Sequence, residues 1–204
     1  MSVTLSKSLK TELYRKAVHL SSLWMPPAVL LLNRNASIIL FACLLGLNLI
    51  VERAACLKTP FIGTLFRRMF IKTLRHKEVC RKDFVPSGSV YILAAALIVS
   101  VCYTPKAAAA AMSIMLISDS CAAVFGKFWG SHRFENGKSA EGTLAFFVSA
   151  FLITAFFFPA LPLALLGLIS VLATAAEFFE RELQIDDNFA IPVITGFILN
   201  LISL

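Results

Sequence analysis

The chain has 204 residues, 58% of them hydrophobic and 15% charged, with a formal net charge of +7. A soluble domain carries roughly 45–50% apolar and about 25% charged residues, whereas here the apolar excess is gathered into runs of about 15–20 residues. That excludes an ordinary soluble domain, and because the basic residues sit between the runs they argue for lipid headgroups and topology rather than nucleic acid.

The predicted fold is all-α: a polytopic integral membrane protein of about seven helices, forming one domain over residues 1–204. Residues 1–16 are a polar, basic N-terminus. The first span is expected over 17–32, kinked at Pro26-Pro27. It follows a basic stretch without a small-x-small cleavage site, so it is read as a retained span. Asn33-Arg34-Asn35 then turns the chain into a second span, 36–51.

Residues 54–85 are basic. Phe61, Ile62, Leu65, Phe66, Met69, Phe70 and Leu74 recur at helical spacing, while Arg67, Arg68, Lys72 and Arg75 occupy the other positions. The pattern predicts an amphipathic helix in the headgroup plane, able to anchor the chain or to form an entrance for a lipid. Further spans are expected over 88–103, 107–126, 142–159 and 161–176. An acidic segment and a short apolar run, 190–204, complete the series.

With the N-terminus cytoplasmic, every Lys and Arg except Arg34 and Lys106 falls on the cytoplasmic side. The polar chemistry is therefore expected at the inner face. The five cysteines (43, 56, 80, 102 and 121) form no CxxC pair, which leaves neither a disulfide framework nor a zinc site.

The core motif is 113–143. Asp119 is a carboxylate inside an apolar helix, where insertion scales charge at least ~2.5 kcal/mol for it. Ala122, Ala123 and Gly126 follow at i+3, i+4 and i+7, a strip of small residues on the same face. The bland reading is a neutralised carboxylate in a close helix contact. Beyond it come Gly126-Lys127-x-x-Gly130, Arg133 and Lys138-Ser139-x-Glu141-Gly142. Glycines that admit backbone N–H groups, together with lysines, suit phosphate oxygens.

Glu177 with Asp186-Asp187-Asn188 offers oxygen ligands for a hard cation, or else a solvated acidic loop. Glu12-x-x-Arg15-Lys16-x-x-His19 places four polar groups on one helical face. Snorkelling accounts for Arg15 and Lys16 but not for Glu12 and His19.

These stretches resemble the dolichol kinase, phytol kinase and CTP-dependent diacylglycerol kinase family. The likeness rests on Glu12-x-x-Arg15-Lys16-x-x-His19, Leu74-Arg75-x-x-Glu78 followed by Gly88, and Asp119-x-x-Ala122-x-x-x-Gly126-Lys127-x-x-Gly130. It continues through Lys138-Ser139-x-Glu141-Gly142 and Asp187-Asn188-x-x-Ile191-Pro192. Ser118 stands where that family often has glycine.

The resemblance implies transfer of the γ-phosphate of CTP to the hydroxyl of a membrane lipid alcohol (a polyprenol, phytol or diacylglycerol), with Mg²⁺ or Mn²⁺. It implies that Asp119 and Glu141 hold metal or activate the hydroxyl, and that Asp187-Asn188 completes the site. It also implies that Lys127 and Lys138 bind the phosphates, with Gly126, Gly130, Arg133, Ser139 and Gly142 around them.

A phosphatidate cytidylyltransferase is the nearest alternative, but its His-Gly-Gly and Asp-Arg-x-x-Asp do not occur here. An ion-coupled carrier using Asp119 is the alternative from another class. It is disfavoured because the charges gather at one face and no internal repeat is seen.

Overall fold

The computed structural model describes residues 7–57 and 86–203. Most of the amphipathic segment expected over 54–85, with Arg75 and Glu78, lies outside the described residues. The rest is helical, in the order α1 (Lys7–Leu20), a 3₁₀ turn (Ser21–Trp24), α2 (Met25–Leu31), α3 (Arg34–Cys56) and α4 (Gly88–Cys102). Then come α5 (Pro105–Ser113), a π-helical turn (Ile114–Ser118) and α6 (Asp119–Phe128), which run on as one helix. After a loop follow α7 (Ala140–Phe157), α8 (Leu163–Phe178), the single turn α9 (Glu180–Leu183) and α10 (Asp187–Ser203).

Among the described residues three helices are long and apolar enough to cross a membrane: α3, the continuous Pro105–Phe128 helix and α7. Helices α4, α8 and α10 are apolar but shorter, at 15, 16 and 17 residues. The run expected as one kinked span over 17–32 is instead α1, a 3₁₀ turn and α2. Pro26 and Pro27 sit in the first turn of α2, where a missing N–H is harmless, so they begin a helix rather than bend one.

The Pro105–Phe128 helix is the centre of the bundle. Ala107 to Ala111 are all fully buried, as are Met112, Ile114, Met115 and Leu116. A helix apolar on every side has no solvent face, and alanine lets its neighbours approach closely. Helices α2, α7 and α10 pack against it.

One end of the bundle is tied off by polar contacts. The Arg34 guanidinium donates to the carbonyls of Ser100 (3.3 Å) and Tyr103 (2.9 Å) at the end of α4, where unpaired carbonyls favour a cation. Tyr103 Oη donates to the Val193 carbonyl at 2.8 Å, and Asn200 Oδ1 accepts from Thr104 N at 2.7 Å. At the other end of α3, buried Glu52 accepts from the Ser87 N–H (3.1 Å) and from the hydroxyls of Ser87 and Ser89. A carboxylate of α3 thus holds Ser87, the N-cap residue of α4. This second end carries the candidate site.

Candidate functional site

Asp119 is the first residue after the π-helical turn, a kind of distortion that recurs at functional positions. Helix α1 packs against α6 there. Lys16 Nζ donates to Asp119 Oδ2, and His19 Nε2 lies 3.5 Å from the same oxygen. All three side chains are buried. The polar face noted on α1 therefore supplies the counter-charge that a carboxylate in an apolar helix requires. The neighbouring Ser118 hydroxyl is buried without a hydrogen-bond partner among the described residues.

The loop between α6 and α7 is folded back on itself. The Phe134 N–H donates to the Lys138 carbonyl at 2.8 Å, and Gly137 takes the positive φ of 82° that this reversal needs. Asn136 Nδ2 donates to the Phe178 carbonyl at 3.0 Å, clamping the loop to the end of α8. Lys138 Nζ reaches the same helix end. It donates to the Glu177 carbonyl, pairs with Glu177 Oε1 at 2.7 Å and lies 3.7 Å from Glu180 Oε2.

Glu141 points its Oε1 elsewhere. That oxygen accepts from the N–H of Ser131 (3.0 Å) and of His132 (3.3 Å), and from the Ser131 hydroxyl. Glu141 is not among the residues lining the cavity described next. Its other oxygen, Oε2, is buried without a hydrogen-bond partner among the described residues.

The glycines have a packing reason to be glycines. A Cβ on Gly126 would lie 2.8 Å from Ser139 Oγ, one on Gly130 would lie 2.2 Å from the Gly126 carbonyl oxygen, and one on Gly142 would lie 2.8 Å from the Ala122 carbonyl oxygen. Helices α6 and α7 touch backbone to backbone, with Ser139 wedged between them and capping α7 through the Gly142 N–H at 3.1 Å. Gly142→Ala is expected to cost about 1–3 kcal/mol by overpacking. A fall in thermal unfolding temperature in detergent checks it.

Under this seam lies a cavity of about 370 Å³, within the ~300–1,000 Å³ usual for ligand sites. Arg15, Lys16, Lys127, Arg133 and Lys138 line it, together with Asp119, Glu177, Glu180 and Asp187. Its apolar floor is Ala122, Ala123 and Gly126, the strip legible at i+3, i+4 and i+7 from Asp119. Ser139 and Gly142 also line it, whereas His19, Gly130, Asp186 and Asn188 stand behind.

Among the described residues Lys127 has no acidic partner within 4 Å, which leaves its ammonium available to an anion. The carboxylates of Glu180, Asp186 and Asp187 each offer an oxygen within 4.8 Å of the others, and Glu177 Oε2 is buried with no hydrogen-bond partner among the described residues. Oxygen donors so disposed suit a hard divalent cation. Asn188 supports the group, its side-chain Nδ2 donating to Asp186 Oδ1 at 2.6 Å. Glu180 joins it only because the single turn α9 folds the chain back, which no local pattern announces.

No family model matches the chain, and no solved structure matches it. It is 30% identical to the uncharacterized protein RP860 of Rickettsia prowazekii over 186 residues, covering 89% of this chain and 90% of that one. It is 26% identical to the uncharacterized protein MJ1137 of Methanocaldococcus jannaschii over 192 residues, covering 93% of each.

Proposed function

We propose that the chain, which belongs to one family with RP860 of Rickettsia prowazekii, is a CTP-dependent lipid kinase. The cavity supports phosphate transfer, and the choice of CTP and of a lipid alcohol follows from the resemblance to the dolichol kinase, phytol kinase and CTP-dependent diacylglycerol kinase family. One observation carries the reading. Five cationic and four acidic side chains converge on a single cavity at the end of a bundle of apolar helices, with Asp119 at its base.

In this reading the seven apolar runs cross a membrane, with the N-terminus and cavity on the cytoplasmic side. Lys127, Arg133 and Lys138 bind the phosphates of CTP. The oxygen of a lipid hydroxyl attacks the γ-phosphorus, the bond from that phosphorus to the β–γ bridging oxygen breaks, and CDP leaves. Asp119, kept anionic and oriented by Lys16, accepts the hydroxyl proton.

Positioning and charge do most of the work in such a transfer. A Mg²⁺ or Mn²⁺ ion, which the oxygens of Asp187, Glu180, Asp186 and Glu177 suit, would supply charge neutralisation on the phosphates. Glu141 acts as a positioning residue that holds Ser131 and His132.

The test is one assay run twice on protein in lipid vesicles, with Mg²⁺, a panel of lipid alcohols and phosphatidate. One run carries CTP labelled at the γ-phosphate, the other at the α-phosphate. Label reaching an alcohol from the γ position alone is the expected result. Transfer from the α position to phosphatidate would make the protein a cytidylyltransferase. Absence of both would return Asp119 to an ion-coupling role.

A further inference from the structure

Beside the polar cavity, on the outer side of α7 and α8, runs a second concavity of about 430 Å³. Phe134, Leu144, Phe147, Val171, Ala175 and Phe178 are among the side chains that line it. The two spaces share a wall. At the end of α8, Glu177 faces the polar cavity while its neighbour Phe178 faces the groove. The loop that presents Lys138 also places Phe134 edge-on to Phe178, with ring centroids 5.0 Å apart.

Thr143 lines both spaces, and its hydroxyl is buried without a hydrogen-bond partner among the described residues. A buried hydroxyl left unpaired is costly, and a ligand group arriving at that point would satisfy it. A ligand matching this site has a long apolar part and a polar end separated by one short step.

We propose that the groove between α7 and α8 seats the hydrocarbon chain of a lipid alcohol, whose hydroxyl passes Thr143 into the polar cavity. This rests on the lipid kinase reading and specifies the face from which the lipid enters. Leu144, near the start of α7, and Val171, two turns before the end of α8, are both exposed where they line the groove. The groove orients the substrate, since the apolar chain lies outside the bundle and only the hydroxyl end reaches Asp119.

The experiment uses the full chain in phosphatidylcholine vesicles and a long-chain primary alcohol carrying a diazirine in its chain. Phosphatidylcholine with the same diazirine chain is the control, and labelled residues are mapped by peptide mass spectrometry. The expected result is labelling by the alcohol at Leu144, Phe147, Val171 and Phe178, well above that at exposed Ile39 and Ile50 of α3. Excess unlabelled alcohol should suppress it, while the phosphatidylcholine probe should mark both regions alike.

Ala175→Trp, which fills the groove, should raise the KM for the alcohol about tenfold, leaving the KM for CTP unchanged. Val171→Trp, at an exposed position that tolerates bulk, should do the same if the first variant folds poorly. Equal labelling of groove and α3 by the alcohol, indifferent to competitor, would mean that ordinary bilayer lipid fills the groove and would overturn the proposal. So would cross-linking of two copies through this face. Competed groove labelling without phosphate transfer would reject the kinase reading alone. Transfer with an unchanged alcohol KM in both variants would reject the groove alone.

Discussion

Asp119→Asn is expected to lower turnover by about 10²–10⁴-fold while CTP still binds, because the variant keeps the shape of the site and loses the proton acceptor. The same change removes the counter-charge of Lys16, and breaking a buried pair from one side costs about 3–5 kcal/mol. Stability and activity will therefore fall together in the single variant. The double variant Lys16→Met/Asp119→Asn separates them, since it leaves no buried charge unpaired. It should recover most of the lost thermal stability and none of the turnover. Glu141→Gln is the contrast, because a glutamine oxygen still accepts from the Ser131 and His132 N–H groups. Its loss of turnover should stay under about tenfold. Wild-type turnover in Asp119→Asn would remove this carboxylate from the chemistry altogether.

Asp119 and its strip of small residues were legible from one sequence because both lie on one helix, and helical spacing carries that information locally. Apolar runs gave helix bounds close to those observed, as with 88–103 against Gly88–Cys102, for the same reason. The partner of Asp119 was visible only as a face on α1. Nothing in the order of residues says that a lysine at position 16 meets an aspartate at 119.

Gly126, Gly130 and Gly142 show the limit more sharply. Their motif suggested phosphate cradling, yet Gly126 and Gly142 also sit where α6 and α7 touch, and Gly130 packs on the end of α6 and against Ser139, which are tertiary facts. Glu141 is a candidate ligand or base through the resemblance alone. The structure adds that its Oε1 accepts from the Ser131 and His132 N–H groups, in a loop that turns at Gly137 and is held to α8 by Asn136. The kink expected at Pro26-Pro27 is instead a 3₁₀ turn over Ser21–Trp24 ahead of them, since prolines announce a helix start and a kink with the same letters.

Lys138→Met is expected to lower kcat/KM for CTP by about 10²–10³-fold, the usual effect of removing one donor aimed at developing charge. Lys138 also braces the site, because its ammonium joins the loop to both the carboxylate and the carbonyl of Glu177. The buried Glu177 carboxylate would lose its counter-charge, and the protein should unfold at a lower temperature. Adding Glu177→Gln to Lys138→Met should restore that stability without restoring CTP turnover. Lys138→Arg should restore little, since a planar guanidinium cannot reproduce the compact contacts an ammonium makes with one carbonyl and one carboxylate.

The decisive comparison is between the two substrates. A phosphate-binding lysine changes the KM for CTP and spares that for the lipid, whereas a strut that merely holds the loop disturbs both, because Phe134 and Asn136 of the same loop border the groove and the cavity. Equal change in both constants would assign Lys138 to the scaffold. The phosphate cradle would then reduce to Lys127 and Arg133 on the loop side of the cavity, neither of which forms an ion pair with Asp119, Glu177 or Glu180 among the described residues.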